Sequence, residues 1–366
     1  MVAVNTARMI GVDLFSGAGG MSIGATMAGV DVRFAVEADP HAAATYRFNH
    51  PDVIVFQDDI RRLKDFSHLR FDDEVVVFGG PPCQGFSTSN QRTRSASNPN
   101  NWLFREFLRV VSEIGPDWVV FENVRGILET EHAFFVNLIK KCLENLGYTL
   151  SYTVLNAVDF GVPQRRLRLF VIGSRQGVQV PFPAPTCKKP VSVMEAIGDL
   201  PDLENGAAVD LMDYKSEPVS DYAYRMRGNK KIATNHLVTH NASYVVKRYS
   251  HIPPGGNWED IPSRLMKNYA DKSRCHTGIY RRLKLKEPSV VIGNYRKNML
   301  VHPTQDRGLS VREAARLQSF PDWFRFMGSI GFQQQQVGNA VPPMLAEAVF
   351  RSVIDVSRGV KTRVAA

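Results

Sequence analysis

RMIGVDLFSGAGGMSIGATMA, residues 8 to 28, is the stretch whose reading decides the fold. Arg8 to Phe15 reads as a strand, Ser16-Gly-Ala-Gly-Gly as a turn, and Met21 to Ala28 as a helix. Strand, glycine turn and helix in that order open a doubly wound, mostly parallel α/β sheet of the Rossmann-like kind. A second strand (32–36) follows, and about 20 residues beyond the glycines stands Glu37, where such folds set a carboxylate on ribose hydroxyls. The turn itself is Gly17-x-Gly19-Gly20, with Ser22 where GxGxxG needs its third glycine. That pattern cradles a pyrophosphate, so its absence argues for an adenosine-containing cofactor that is not a dinucleotide. A tight turn without a ligand is the competing account.

Outward from this unit, a third strand (53–56) leads to Gln57-Asp58-Asp59-Ile60. A carboxylate at Asp59 suits an adenine amine, or else caps the turn that opens with Arg61. Glu74 to Phe78 is a short β-branched run stopped by a glycine pair, which reads as a buried parallel strand running into FGGPPCQGFS, residues 78 to 87. Pro81 and Pro82 fix φ and hold their neighbours extended, so Cys83 projects from a stiff loop. A thiol presented in this way becomes a nucleophile once its pKa is lowered or a neighbour takes its proton. Cys142 and Cys187 read instead as small buried cysteines, and Cys275 as a residue without function.

Residues 84 to 101 are polar, without an apolar period, and their length suits a closing lid. Helical spacing resumes over 102–114, and the strand at 117–124 delivers Glu122 and Asn123 to the sheet edge that carries Cys83. Burial raises the pKa of an acid in such a place, which suits a proton donor; a helix cap is the alternative. A helix at 131–147 and strands at 149–155 and 167–173 follow. Between the two strands, an extended Gly161 to Arg168 sets Arg166 and Arg168 on one face, aimed into one site, unless they are ordinary surface arginines.

A chain of 366 residues, 44% hydrophobic, is long enough for one large domain or two unequal ones. Four cysteines without a CxxC pair suggest neither a disulfide framework nor a zinc site. No apolar run approaches the roughly 20 residues of a membrane span, and MVAVNTARMIG has no signal-peptide pattern, so a reducing, cytosolic setting is expected. The charge is uneven. Eight acids stand against Lys215 between Glu195 and Asp221, whereas residues 222–300 hold sixteen Lys or Arg against four acids, an excess greater than the +9 of the whole chain. Such a segment is a footprint for a polyanion. The proline-rich stretch 180–190 marks the end of the sheet domain. His236 and His240 have metal-like spacing without a third ligand and read as ordinary residues. A helix is predicted over 307–320, N-capped by Ser310 with Glu313 in the capping box, and another after QVGNAVPP (336–343), running to Val356.

DLFSGAGG (13–20), GGPPCQGFS (79–87), ENV (122–124), QRRLR (164–168), LQSFPD (317–322) and QVGNAVPP together resemble, in order and spacing, the DNA (cytosine-5)-methyltransferases of bacterial type. The resemblance implies S-adenosylmethionine as methyl donor and cytosine in double-stranded DNA as acceptor. It makes Cys83 the nucleophile at carbon 6, Glu122 the proton donor to ring nitrogen 3, Arg168 the group holding the base's carbonyl, and Arg166 a support for the loop. On the donor side it implies Phe15, Gly17, Gly19, Glu37, Asp59, Ile60, Pro82, Leu103, Asn339 and Val341. Ser87, Arg92 and Arg94 are implied as DNA contacts, and no metal is. The implied division is 1–184 for catalysis and cofactor, 185–329 for target recognition, and 330–366 returning to the catalytic domain. A monomer in the cytoplasm, on the nucleoid, is expected, with a cognate restriction endonuclease as possible partner. An RNA acceptor and a catalytically silent DNA-binding regulator are the alternatives.

Overall fold

A computed structural model describes residues 8–66, 69, 71–82, 102–129, 133–267, 269, 277–293 and 295–364. Cys83, Ser87, Arg92, Arg94, the expected lid and Cys275 lie outside the described residues.

The chain forms two compact units. The first, Met1–Phe160 with Leu167–Thr186 and Pro343–Ala366, carries seven strands: β1 (Met9–Leu14), β2 (Val30–Val36), β3 (Ile54–Phe56), β4 (Glu74–Gly79), β5 (Trp118–Val124), β6 (Thr149–Asn156) and β7 (Leu167–Ser174). Their order is β3-β2-β1-β4-β5-β7-β6, and β7 runs antiparallel to both its neighbours while the other pairings are parallel. The strand order reverses between β1 and β4, the place where open α/β sheets bind ligands at their carboxyl ends.

Helices α1 (Gly20–Ala28), α2 (Pro40–Asn49), α3 (Phe104–Ile114) and α4 (Phe134–Asn145) connect these strands. Alternate strand residues face opposite ways. Val75 and Val77 join Phe107 of α3 and Ile139 of α4 in one buried cluster, while Phe78, on the other face, meets Phe350 edge-on at 4.9 Å. Asp39 starts α2 by accepting from the His41 and Ala42 N–H groups at 2.9 Å, with Pro40 preset for the first turn.

The second unit, Gly161–Arg166 with Cys187–Pro342, is built from short pieces. They are α5 (Val193–Ile197), the strand pair β8 (Met212–Asp213) and β9 (Ile232–Ala233), α6 (Asp221–Arg227), α7 (Ser243–Tyr249), α8 (Tyr295–Asn298), α9 (Val311–Leu317) and α10 (Ile330–Asn339). The chain then rejoins the sheet unit as α11 (Pro343–Val364). Gly24 of α1 lets α11 in close: a methyl there would stand 2.5 Å from the Ala346 methyl and the Pro343 carbonyl.

Two helices differ from expectation. α9 starts at Val311 because Ser310, extended with φ −70° and ψ 165°, is its N-cap, and it stops before Ser319, whose φ is +60°. The predicted cap is present: Ser310 Oγ accepts from the Glu313 N–H at 2.9 Å and Glu313 answers at the Ser310 N–H at 2.7 Å. α11 continues past Val356 to Val364, since nothing beyond the apolar period breaks it and Gly359 costs only about 1 kcal/mol. Cys142 and Cys187 are half-buried rather than buried; Cys142 packs against the apolar cluster of the sheet unit, and Cys187 Sγ donates to the Lys189 carbonyl.

Candidate active site

Leu14, the last residue of β1, pairs with Gly79, the last of β4, so the glycine turn and the Gly80-Pro81-Pro82 segment leave the sheet side by side at its point of reversal. The glycine pair does more than stop a strand. A Cβ on Gly79 would lie 2.0 Å from the Leu14 carbonyl, and one on Gly80 would lie 2.5 Å from Glu122 Oε2. Only glycine admits both neighbours, a requirement that the local sequence does not reveal.

Glu122 lies on β5 one residue past Phe121, the register partner of Gly79. Arg168 faces Val124 across the antiparallel β5–β7 pair, which puts it on the same face as Glu122, two residues back. A diagonal neighbour is within reach of a long side chain, and Arg168 Nε stands 2.9 Å from Glu122 Oε1 with both side chains about nine-tenths buried. Burial draws the Arg168 guanidinium below its ordinary pKa, while Glu122 holds it up. Asn123 Nδ2 donates to the Pro81 carbonyl at 3.3 Å, tying β5 to the segment that leads to Cys83.

Arg166 goes elsewhere. Its buried guanidinium donates to the carbonyls of Ile292 at 2.8 Å, Gly338 at 3.0 Å and Ala340 at 2.9 Å, all in the second unit. The expectation that Arg166 and Arg168 are aimed into one site is therefore corrected: the chain passes from one unit to the other between them, and their guanidiniums serve different partners. Asn339, between two of those carbonyls, is itself exposed, and Val341 is buried.

The residues of the sheet unit expected on the donor side line up along the carboxyl ends of the parallel strands. Phe15 follows β1 with φ +59°, a strained conformation for a bulky residue that nothing in the sequence announces. Gly17 has open space where a side chain would stand, and Ser16 Oγ is buried without a hydrogen-bond partner among the described residues. Glu37, just past β2, accepts from the Gly17 N–H and the Asp39 N–H, each at 2.7 Å, and burial raises its pKa. An open cradle, an orphaned hydroxyl and a carboxylate at a strand end fit an adenosine.

Asp59 follows β3 but is engaged: it accepts from the Arg61 N–H at 2.9 Å and pairs with the Arg61 guanidinium, which brings its pKa down to about 2. The capping alternative is thus realised, and an adenine amine would share an acceptor already in use. Ile60 is buried, Pro82 half-buried, and Leu103 stands at the start of α3.

The model of the C-5 cytosine-specific DNA methylase family matches residues 9–355. The chain belongs to that family. It is 39% identical over 348 residues to the Type II methyltransferase M1.HphI of Haemophilus parahaemolyticus, covering 94% of this chain and 86% of the relative. With the Type II methyltransferase M.XorII of Xanthomonas oryzae pv. oryzae it shares 36% over 371 residues, 93% of this chain and 84% of the relative. A solved E. coli prophage-encoded structure, described as a DNA modification methyltransferase, superimposes with a TM-score of 0.78 at 27% identity, over 96% of this chain and 100% of that one.

As a methylase of this family, the chain contains elements that its motifs alone did not predict. His236 is a core residue, its Nε2 2.8 Å from the Pro201 carbonyl and its Nδ1 2.9 Å from Ser310 Oγ. Among the described residues no cluster could hold a metal ion, and no helix is long and apolar enough to cross a membrane.

Proposed function

We propose that this chain transfers a methyl group from S-adenosylmethionine to carbon 5 of a flipped-out cytosine in duplex DNA, within a restriction–modification setting. The observation that carries the reading is the buried Glu122–Arg168 pair beside Gly80, at the strand ends from which Pro81-Pro82 leads to Cys83. Family membership supports it.

Carbon 5 of cytosine is a weak nucleophile, so the ring must first be charged with electrons. The Cys83 thiolate adds at carbon 6, Glu122 supplies a proton to ring nitrogen 3, and Arg168 holds the neighbouring carbonyl oxygen. The donor would supply an electrophilic methyl to carbon 5, its sulfonium leaving as a neutral thioether, and Phe15, Gly17, Gly19, Glu37 and the residues after β3 and β4 would hold it. A base then takes the carbon 5 proton, the double bond between carbons 5 and 6 re-forms as the sulfur leaves as thiolate, and the proton on nitrogen 3 returns to Glu122. Flipping the base costs a few kcal/mol, set against contacts to the phosphate backbone. The basic segment 222–300 of the second unit is the candidate for those contacts, with affinity that falls as salt rises.

Incubation with labelled S-adenosylmethionine and either duplex DNA or transfer RNA tests the acceptor. Label in DNA is expected, and label in RNA alone would overturn the reading. Cys83→Ser is expected to abolish turnover while keeping DNA binding, and a 5-fluorocytosine oligonucleotide to trap the protein through residue 83.

A further inference from the structure

Beneath the glycine turn, three side chains form a linked series. Ser22 Oγ, in the first turn of α1, donates to Asp13 Oδ2 at 2.6 Å and meets Tyr46 Oη of α2 at 2.7 Å. All three residues are 1% exposed or less. Burial pushes the Asp13 carboxyl up to about 8, against the Ser22 hydrogen bond and with help from the charge of Glu37. The Tyr46 and His50 rings, tilted 35° to each other with centroids 4.6 Å apart, occupy the space a side chain on Gly19 would need: its Cβ would meet them at 3.0 and 2.8 Å. Gly19 has φ +98°, so conformation and space both demand glycine there.

The Tyr46 side chain of α2 therefore meets this segment twice, by shape at Gly19 in the turn and by hydroxyl at Ser22 in the first turn of α1. At its own start it is also tied to Glu37, whose carboxylate bridges the Asp39 and Gly17 N–H groups. A carboxyl and two hydroxyls are costly to bury, and an apolar trio would fill the same volume at lower cost. A satisfied polar series has a property that apolar packing lacks: it fixes one geometry.

We propose that Asp13, Ser22 and Tyr46 are positioning residues for the methyl donor, holding the Gly17–Gly20 turn at a fixed separation from Glu37. This inference rests on the donor being the one assigned above. It makes the cost of losing the series appear in donor affinity, not in chemistry or DNA binding.

Three variants separate this role from simple structural support. Ser22→Ala cuts both links, Tyr46→Phe keeps the ring against Gly19 but removes its hydroxyl, and Asp13→Asn keeps an acceptor for Ser22. By calorimetry, Ser22→Ala is expected to weaken S-adenosylmethionine binding about tenfold and Tyr46→Phe about fivefold, with Asp13→Asn within about twofold of the parent chain. Turnover at saturating donor and the Kd for duplex DNA should stay within about twofold for all three. Unchanged donor affinity in Ser22→Ala would overturn the inference. So would a Tyr46→Phe chain in which donor affinity, kcat and Tm fall together, since that is general loosening. If the parent chain bound no S-adenosylmethionine, the assigned function would fail first and take this inference with it; binding by the parent with an unaltered Ser22→Ala would overturn the inference alone.

Discussion

The two units are filled with different chemistry. The sheet unit packs Val12, Leu14, Val77, Phe107, Val119 and Phe121 into one apolar cluster, with Phe107 and Phe121 edge-on at 5.4 Å. The second unit buries arginines: Arg166, Arg307, Arg312 and Arg316 are all among its least accessible side chains. Arg316 reaches Asp199 on one side and Asp322 on the other, the latter at 2.7 Å, and Tyr214 adds its hydroxyl to Asp322. Arg307 holds Glu313 with two nitrogens at 2.7 and 2.9 Å, and Arg312 donates to the carbonyls of Thr234, Pro321 and Phe324. Long strands and helices satisfy their own backbones, so a core between them can be apolar. A unit of short pieces leaves many carbonyls without regular partners, and arginine, with five N–H donors, supplies what the missing secondary structure does not.

Removing one member is the hardest test of that difference. Arg316→Met keeps much of the volume but leaves Asp199 and Asp322 buried without their main partner, and a cost of about 3–5 kcal/mol is expected. The loss should appear as faster amide exchange in α9 while β1 and β4 keep their protection. Uniform loss of protection through both units would show that their interiors do not behave separately.

The same contrast explains what could be read from the chain. The sheet unit was legible because its information is periodic: β-branched runs end in glycine or proline, and every strand of the sheet is where the pattern puts it. Glu122 and Arg168 were legible through motif, and their pairing is a matter of register that the motif does not carry. Arg307 reads as part of a helix because a charged residue beside an amphipathic period looks like its solvent face, and only a structure shows that its charge is spent on Glu313. Gly79 and Gly80 read as strand stops, because contacts with Leu14 and Glu122 are made by residues far away in the chain.

Titration sharpens the comparison at moderate scale. Asp13 is pushed from 3.8 to about 8, so above the ordinary carboxylate range the folded sheet unit keeps a proton that the unfolded chain has lost, and stability falls as pH rises through that window. His50 in the sheet unit and His302 in the second unit are both lowered by burial from 6.5 to about 4. There the unfolded chain holds the proton that the fold refuses, and stability rises with pH between those values. Between about pH 4 and 6.5 the Asp13 and His50 slopes of the sheet unit oppose each other; from 6.5 towards 8 the Asp13 slope remains, at about 1.4 kcal/mol per pH unit. Chemical denaturation should find the parent chain about 2 kcal/mol less stable at pH 8 than at pH 6.5, and Asp13→Asn should lose less than half of that. An equal loss in both would place the titrating group elsewhere.

The smallest expected effect sets one helix cap against another. Asp39 caps α2 at a half-exposed position through two N–H groups at 2.9 Å, and water can replace it, so Asp39→Ala should cost about 1 kcal/mol. Ser310 caps α9 where it is fully buried, and its hydroxyl also meets His236 Nδ1 at 2.9 Å. Ser310→Ala therefore takes away a cap and a histidine partner in a place water does not reach, and about 2 kcal/mol is expected. Denaturation midpoints of the two variants, taken with a common slope, measure the ratio. If the buried cap cost no more than the exposed one, polar groups inside the second unit would be no more tightly coupled than groups at a surface, and the distinction between the two interiors would lose its energetic content.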